Sequence, residues 1–359
     1  MLQISHINIL QFRNYSSAKF SFPDRVTAIC GANGKGKTNL LDAIYYLCFT
    51  KSYFGKTDQQ SVEIGNAGFR IDAAFQKKDQ PFDIALLLRE NNKKELKLDG
   101  EIITPFSTHI GRFPVVFVAP DDIVLISGAS EERRKLVDTV LSQTNSDYLN
   151  SLIQYGKVLQ ERNKYLKSQE IDGIDFTLLE TFDYQLVSLG SKIIDWRIKF
   201  FDVFIPFVSD LFAFVSNGQE KPELTYAPST SIERYKENML LSRQKDMILQ
   251  RTNVGVHKDD LELSMNGLPF KQIASQGQRK SMLFAMKLAE FEFLKANVGF
   301  EPILLLDDVF EKLDQQRLEK LLEWVCTKNK GQVFLTDTHQ ERISKALGQF
   351  DLTYQLIQL

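Results

Sequence analysis

The sequence has few cysteines, and their spacing fits neither a metal site nor a redox motif. Cys30, Cys48 and Cys326 are the three cysteines of the chain, and no C-x-x-C pair or Cys/His ligand spacing joins them. This pattern excludes a disulfide scaffold and a zinc module. We predict reduced, buried thiols in a cytoplasmic protein.

The chain also lacks a large charge of one sign and a long apolar run. Its formal net charge is −2 at pH 7, so no overall basic field would attract nucleic acid, and such a partner would need a local basic patch. No uncharged apolar stretch reaches the ~18 residues of a membrane span. Residues 1–8 have no basic region followed by an apolar core, so we expect neither a signal peptide nor a membrane contact.

The most informative motif lies at residues 31–38, which read Gly-Ala-Asn-Gly-Lys-Gly-Lys-Thr. They satisfy G-x-x-x-x-G-K-[ST], a phosphate-binding loop (P-loop) whose glycines let backbone N–H groups surround a polyphosphate. The Lys37 ammonium can reach the β- and γ-phosphates, and the Thr38 hydroxyl can ligate Mg²⁺. A strand predicted before the loop and a helix after it fit this role. We predict an ATP site formed by Gly31, Ala32, Asn33, Gly34, Lys35, Gly36, Lys37 and Thr38.

A second element of an ATP site ends the apolar run at residues 301–308. In P-loop enzymes the first carboxylate after such a strand, here Asp307, holds Mg²⁺ together with the P-loop threonine, Thr38. The next carboxylate, Asp308, is placed to orient or deprotonate the attacking water. We predict that Lys37, Asp307 and Asp308 are catalytic. A buried strand followed by an aspartate-rich turn is the alternative interpretation.

Residues 274–280 precede a predicted helix at 281–295 and contain a Ser-x-Gly-Gln sequence. Ser275 is a suitable N-cap, and Gly277 allows close approach of a ligand to the backbone. Relative to Asp307, this segment has the position of the signature loop of ABC-type ATPases, which faces the P-loop of a second subunit. We predict that it closes over a partner's γ-phosphate, although a plain capping turn would look similar. The predicted loop comprises Ser275, Gln276, Gly277 and Gln278.

Two further features complete the predicted site. A further strand predicted at residues 332–339 ends at His339, which fits the switch histidine that contacts the γ-phosphate in ABC ATPases; an ordinary surface histidine is the alternative. Residues 311–314, Glu-Lys-Leu-Asp, occupy the place of the loop that couples two sites across a dimer.

The middle of the chain differs in character from both ends. Apolar residues recur at helical spacing over residues 136–166 and again over 182–207, with a polar stretch at 167–175 between them. This pattern predicts two helices in an antiparallel hairpin. Because the P-loop and Asp307 belong to one compact core, the region between them is best explained as an insertion.

We therefore predict an α/β fold, a P-loop ABC-type ATPase head that carries an inserted α-helical lid domain. The head would contain a mixed sheet with flanking helices and a β-rich subdomain, supplied by the strand-like runs and charged turns between residues 62 and 98. The predicted head comprises residues 1–121 and 251–359. The predicted lid comprises residues 122–250.

At this level of detail the chain resembles the bacterial RecF family of ABC-type, SMC-related ATPases over essentially its whole length. The resemblance rests on several segments that occur in the family's order. They are Phe-Arg-Asn-Tyr at 12–15, the extended P-loop at 36–44, Ala-Pro-Asp-Asp-Ile at 119–123, Gly-Ala-Ser-Glu-Glu-Arg-Arg at 128–134, Gly-Val-His-Lys-Asp-Asp-Leu at 255–261, Ser-Gln-Gly-Gln at 275–278 and Leu-Asp-Asp at 306–308.

Three positions depart from the patterns of these proteins. Val256 stands where the RecF family usually has proline, and residues 311–314 read Glu-Lys-Leu-Asp where it usually has Ser-Glu-Leu-Asp. General ABC heads also carry a Mg²⁺-contacting glutamine after an early strand. Residues 118–122 contain no glutamine, so we assign no such ligand.

The resemblance implies an ATP-dependent homodimer that binds single- and double-stranded DNA and gap junctions. It further implies a slow, DNA-linked ATPase that uses hydrolysis as a switch. Such a protein acts with RecR and RecO to place RecA on gaps, in recombinational repair, the SOS response and replication-fork maintenance. The alternatives are an ABC- or SMC-like head that acts on protein partners, and a nucleotide-binding structural protein that does not hydrolyse ATP.

The DNA contacts are the least determined part of the sequence. Arg133 and Arg134 are our candidates, because they lie in a RecF-like segment near the base of the predicted lid. Phosphate contacts of this kind carry no sequence information. Structural ion pairs or solvated helix faces are the alternatives, and they apply equally to the clusters at residues 162–167 and 51–56.

Overall fold

The computed structural model describes residues 1–168, 175–216, 221–309 and 315–359. The chain divides into two compact units. The first, here called the head unit, comprises Met1–Ile123, Asp210–Glu220 and Ser275–Leu359. The second, here called the helical unit, comprises Val124–Ser209 and Lys221–Ala274.

The strands and helices are numbered in chain order. The strands are β1 (Leu2–Phe12), β2 (Tyr15–Ser21), β3 (Val26–Cys30), β4 (Phe69–Lys77), β5 (Gln80–Leu88), β6 (Lys94–Leu98), β7 (Glu101–Ile102), β8 (Val115–Val118), β9 (Glu223–Ala227), β10 (Asp260–Met265), β11 (Leu268–Pro269), β12 (Ile303–Leu306), β13 (Val333–Asp337) and β14 (Tyr354–Gln358). The helices are α1 (Lys37–Phe49), α2 (Val124–Ser127), α3 (Ser130–Thr144), α4 (Ser146–Ser168), α5 (Phe176–Ser216), α6 (Tyr235–Leu249), α7 (Phe270–Ile273), α8 (Gln276–Val298), α9 (Gln315–Glu323) and α10 (Gln340–Leu347).

A parallel sheet with the strand order β14-β3-β13-β12-β8 carries the predicted nucleotide motifs. Its three central strands are buried along their whole length, which explains why their sequences are apolar runs without alternation. Cys30 pairs with Asp337, and Leu306 pairs with Leu335. The carboxyl ends of β3, β13 and β12 therefore lie side by side at one edge of the sheet.

An antiparallel sheet with the order β2-β1-β4-β5-β6-β7 completes the head, and it confirms the β-rich region predicted between residues 62 and 98. In β1 both Ile4 and Ile7 are buried because a β-bulge between Ile4 and His6 shifts the register. Residues of α1 and of both sheets form one apolar core. This core surrounds α1 and fixes the direction in which the helix leaves the P-loop.

The helical unit contains the predicted antiparallel pair of helices, α4 and the part of α5 up to Ser209. Two contacts show that α4 and α5 are antiparallel, because the later residue of α4 contacts the earlier residue of α5. The rings of Tyr148 and Trp196 lie 5.8 Å apart, and Arg162 Nε lies 2.8 Å from Asp183 Oδ1. At a rise of about 1.5 Å per residue, the 41 residues of α5 extend about 60 Å. The first predicted helix is split at Asn145, whose Oδ1 accepts hydrogen bonds from the N–H groups of the first turn of α4.

The structure assigns residues 251–274 differently from the sequence analysis, which places them in the head. Strand β10 pairs antiparallel with β9, and this pairing places residues 251–274 within the helical unit. The pairing joins residues far apart in the chain, so local sequence patterns do not reveal it. Among the described residues, no helix combines the length and the apolar character needed to cross a membrane.

Candidate nucleotide site

The P-loop connects the end of β3 at Cys30 to the start of α1 at Lys37. Gly34 has a φ of 82° and Gly36 a φ of 108°, values that favour glycine. A Cβ on Gly36 would also lie 2.7 Å from Asn14 Nδ2. The loop conformation therefore needs glycine at residue 36 for two independent reasons, backbone angle and space.

Lys37 is almost completely buried, with 4% of its surface exposed. Its Nζ donates hydrogen bonds to the carbonyl oxygens of Gly31, at 2.8 Å, and Ala32, at 3.3 Å. The ammonium group therefore lies across the P-loop, on the side where a polyphosphate would be bound.

Thr38 and Asp307 meet although they are 269 residues apart in the chain. The Thr38 hydroxyl lies 2.9 Å from each carboxylate oxygen of Asp307. Burial raises the pKa of Asp307 from 3.8 to about 6, against the opposing effect of hydrogen bonds from Thr336 and Thr38. The two side chains offer hard oxygen ligands, one of them a buried carboxylate that ion-pairs with no described cation, and this donor set suits Mg²⁺.

Asp308 turns sharply away from the strand direction. Its φ is 47°, an uncommon angle that aspartate tolerates better than most residues. The N–H of Asp308 donates to Thr336 Oγ1 at 2.9 Å, and the same hydroxyl donates to Asp307 Oδ1 at 2.8 Å. Thr336 thus positions both aspartates. The sequence analysis missed this role, and the available signal was a hydroxyl residue within an otherwise apolar buried strand.

His339 follows β13 at the same edge of the sheet. Asp337 is buried, and its Oδ1 accepts a hydrogen bond of 2.8 Å from the backbone N–H of His339. The imidazole of His339 is exposed at the beginning of α10. Because β13 lies between β3 and β12, the histidine is attached to the strand flanked by the P-loop strand and the aspartate strand.

Residues 12–15 contact the end of the P-loop and the first turns of α1. Tyr15 donates its hydroxyl hydrogen to the carbonyl of Gly36 at 3.0 Å, and Asn14 accepts a 2.8 Å hydrogen bond from Asn39. Arg13 forms a buried ion pair with Asp42 in α1. These roles were not assigned from the sequence, where the segment served only as part of the family resemblance.

The predicted signature loop begins α8. Ser275 is the N-cap, as predicted: its Oγ accepts from the N–H of Gln278 at 3.2 Å, and Gln278 Oε1 accepts from the N–H of Ser275 at 2.6 Å. This capping box leaves Ser275 exposed. Arg317 in α9 lies against this turn, because its Nε donates to Ser281 at 2.7 Å and its Nη1 would lie 2.9 Å from a Cβ on Gly277. The first turn of α8 carries the partial positive charge of a helix N-terminus.

The structure favours the ion-pair interpretation for one of the two predicted DNA contacts. Arg133 is buried, and its guanidinium donates two hydrogen bonds to Asp260, of 2.7 and 2.9 Å. It also binds the carbonyls of Leu125 and Gly128, so it cannot reach a phosphate in solvent. Arg134 is half-buried and donates through Nη1 to the Asp259 carbonyl at 2.7 Å.

Two other predictions from the sequence concern the basic cluster at residues 162–167 and the coupling loop at residues 311–314. Arg162, part of another candidate basic cluster, is fully buried and ion-paired with Asp183 and Asp246. That cluster is therefore reduced to the exposed Lys164 and Lys167. The predicted coupling loop at residues 311–314 lies outside the described residues.

A P-loop and paired aspartates at the carboxyl edge of a parallel sheet, in a unit that also contains an antiparallel sheet and whose sequence is interrupted by a helical insertion, define an ABC-type ATPase head. The predicted fold class is therefore confirmed. The chain also matches the family model of the RecF/RecN/SMC N terminal domain over residues 3–356. It belongs to this family and, within it, to RecF.

Individual relatives agree. The DNA replication and repair protein RecF of Flavobacterium johnsoniae is 39% identical over 363 residues, 100% of both chains. That of Bacteroides thetaiotaomicron is 35% identical and covers 99% of this chain and 96% of its own. A solved structure of the recombination mediator protein RecF-ATP in the RecFOR pathway has a TM-score of 0.88 at 30% identity, covering 94% of this chain and 92% of that one. An Smc head domain from Pyrococcus furiosus shares the fold, with a TM-score of 0.55 at 16% identity, over 96% of this chain and 92% of that one.

Proposed function

We propose that the protein is an ATP-switched DNA-binding protein of recombinational repair and replication-fork maintenance. The observation that carries the proposal is the contact between Thr38 and Asp307, with 2.9 Å from the hydroxyl to each carboxylate oxygen. This contact joins the P-loop to the aspartate strand and creates an oxygen-lined position beside Lys37. The pathway comes from the relatives, which are described as RecF and, in one solved structure, as RecF-ATP in the RecFOR pathway.

In this proposal ATP binds at residues 31–38. The P-loop N–H groups and Lys37 hold the β- and γ-phosphates, and Thr38 and Asp307 hold Mg²⁺, which neutralises phosphate charge. Asp308 orients the attacking water or accepts its proton, and His339 contacts the γ-phosphate. Because these groups position the reactants, slow hydrolysis fits a switch that reports nucleotide state.

The proposal further includes pairing of two copies. Ser275 and Gln276 are exposed at the start of α8, and Gly277 and Gln278 are half-buried; a helix N-terminus of this kind is suited to a phosphate. In a homodimer this loop of one copy would close over the γ-phosphate bound by the other. ATP would favour the pair and ADP would not, because only the γ-phosphate distinguishes the closed state. The helical unit corresponds to the inserted lid domain predicted from the sequence.

The paired, ATP-bound form would bind single- and double-stranded DNA and gap junctions. It would act with RecR and RecO to place RecA on gaps, in the cytoplasm. These partners follow from family membership, and the described residues contribute the nucleotide site on which the switch depends.

DNA binding measured with and without nucleotide tests the proposal. We expect Mg·ATP to increase affinity for a gapped oligonucleotide relative to ADP and to no nucleotide. Lys37→Met and Lys37→Arg should both remove this increase, because arginine keeps the charge but not the compact geometry of the ammonium. Equal DNA affinity in all nucleotide states, or an undiminished ATP effect in both variants, would contradict the proposal.

A further inference from the structure

Three basic side chains converge on the turn at Val256–Lys258 in the helical unit. Lys258 belongs to the turn itself. Arg134 reaches the turn from α3, because its Nη1 donates to the carbonyl of Asp259 at 2.7 Å. Arg251 comes from the segment after α6, and this segment is tied to the turn by a contact of 3.1 Å between the Thr252 carbonyl and His257 Nε2. We call Arg134, Arg251 and Lys258 the basic platform.

The aspartates around the basic platform are occupied by other arginines. Asp246 is paired with Arg162, Asp259 with Arg197, and Asp260 with Arg133. By contrast, Arg251 and Lys258 are exposed, and neither forms an ion pair with a carboxylate in the described parts of the chain. Their charge is therefore available to an anion from solution.

The cations lie close enough to influence one another. The pKa of Lys258 is lowered by partial burial and then by the charges of Arg251 and Arg134. Crowded like charges are unfavourable unless something compensates for them. An anionic ligand that contacts several of them at once would relieve this repulsion.

The backbone beneath the basic platform is held by a buried network. Arg197 Nη1 donates to the carbonyl of Val256 at 2.8 Å, and His257 Nδ1 lies 2.8 Å from the hydroxyl of Tyr155. Gly255 passes so close to the hydroxyls of Tyr155 and Tyr235 that a Cβ there would collide with both. The turn is thus fixed before any ligand arrives, which lowers the entropic cost of binding.

We propose that the basic platform binds the phosphate backbone of nucleic acid, with Arg251 and Lys258 as the exposed contacts and Arg134 as the anchored one. This inference rests on the proposed function and adds the location of a DNA contact. Binding through three cations and backbone phosphates would be independent of base sequence. It corrects the prediction from the sequence by replacing Arg133 with two residues from the region near residue 255.

The test compares two double variants of the full chain. Arg251→Gln/Lys258→Gln removes the exposed cations of the basic platform, and Lys164→Gln/Lys167→Gln removes two exposed cations of α4 as a matched control. Arg134 is left intact because its bond to Asp259 also holds the turn. Fluorescence anisotropy with single-stranded, duplex and gapped oligonucleotides, in Mg·ATP and at several salt concentrations, gives the affinity and its salt dependence.

We expect Arg251→Gln/Lys258→Gln to weaken binding on the order of tenfold on every base sequence. The slope of log affinity against log salt should become shallower by about 2, since each lost phosphate contact contributes about 0.9. The α4 control should keep the wild-type affinity and slope. Both double variants should keep the wild-type urea midpoint and ATP affinity, which shows that any loss is not caused by misfolding.

The outcomes separate this inference from the proposed function. If wild type fails to bind any oligonucleotide with ATP, the proposed function fails. If wild type binds and Arg251→Gln/Lys258→Gln keeps its affinity and salt slope, the basic platform is overturned and the proposed function stands. An equal loss in the α4 control would also overturn it, because the effect would then be one of net charge alone.

Discussion

Two sites, one in each unit of the molecule, bury charge in opposite ways. In the helical unit, Arg197 is paired with Asp138 and Asp259, at 2.8 and 2.7 Å. At the carboxyl edge of the parallel sheet in the head unit, Asp307 is equally buried, yet it forms no ion pair with a cation among the described residues, and it is hydrogen-bonded to the hydroxyls of Thr38 and Thr336. A network that satisfies its own charges maintains structure, whereas a buried carboxylate without an ion-pair partner indicates a place for a ligand.

The largest effect is expected on ATP hydrolysis, at Asp308, the second of the two aspartates that follow β12. Asp308→Asn should lower the rate of ATP hydrolysis by roughly 10²–10⁴-fold, because an amide cannot accept a proton from the attacking water. ATP affinity should stay near wild type, since the P-loop is intact. Single-turnover phosphate release measures the rate, with Asp121→Asn, at an exposed position, as the control. Normal turnover by Asp308→Asn would show that another group positions the water.

In the helical unit, breaking the arginine network should cost stability. Arg197→Met should lower the free energy of unfolding by about 3–5 kcal/mol, because it leaves the buried Asp259 and the half-buried Asp138 without their cation. Urea denaturation followed by circular dichroism measures the change. The matched control is Arg234→Met, whose partner Glu237 is exposed; it should cost at most about 1 kcal/mol. Equal losses in the two variants would remove the distinction between buried and exposed pairs.

Replacing Asp307 should raise the free energy of unfolding, in contrast to the loss expected for Arg197→Met, because the pKa of Asp307 is raised on folding from 3.8 to about 6. The folded state then binds more protons than the unfolded state between these values, so stability falls as the pH rises through this range. Asp307→Asn should therefore stabilise the nucleotide-free protein above pH 6 by about 1–3 kcal/mol, with no gain below about pH 4. Urea midpoints across this pH range test the sign, and a destabilised variant at pH 8 would contradict it.

A smaller effect concerns nucleotide affinity. Because Mg²⁺ requires the ionised carboxylate, Mg·ATP affinity should fall about fourfold between pH 7.5 and 5.5 through protonation of Asp307, whose pKa is about 6. ATP also titrates in this range, so Asp307→Asn provides the baseline, and only the difference between the two proteins is assigned to Asp307. Parallel pH profiles would show that Asp307 does not hold the metal.

Local sequence was sufficient for the parts of the site that depend on short motifs. The P-loop requires glycine at particular positions. The capping box of Ser275 and Gln278 lies within four consecutive residues. The roles of Thr336 and Tyr15 were not predictable in this way. Thr336 reaches Asp307 only because β12 and β13 are neighbours, and Tyr15 reaches Gly36 only through packing of residues 12–15 on α1.

The same limit explains why the burial of Arg133 was not predicted. Arg133 and Arg134 are adjacent in sequence, but in α3 they point in different directions, and Arg133 meets the buried side of Asp260. Arg251 and Lys258 could not be grouped with Arg134 because more than a hundred residues separate them in the chain. The pairing of β9 with β10 could not be predicted from local patterns either. Because of this pairing, residues 251–274 belong to the helical unit, whereas the sequence analysis placed them in the head.

The claim that the head unit presents an incomplete site, finished by nucleotide and a second copy, is tested most directly by sedimentation. Wild type should be largely monomeric with ADP or without nucleotide, and ATP should shift it toward a homodimer. Ser275→Arg should bind ATP as a monomer, because Lys37 and Asp307 are unchanged, yet fail to dimerise, because a bulky side chain then stands at the exposed start of α8. Identical masses for both proteins in all three conditions would contradict the account.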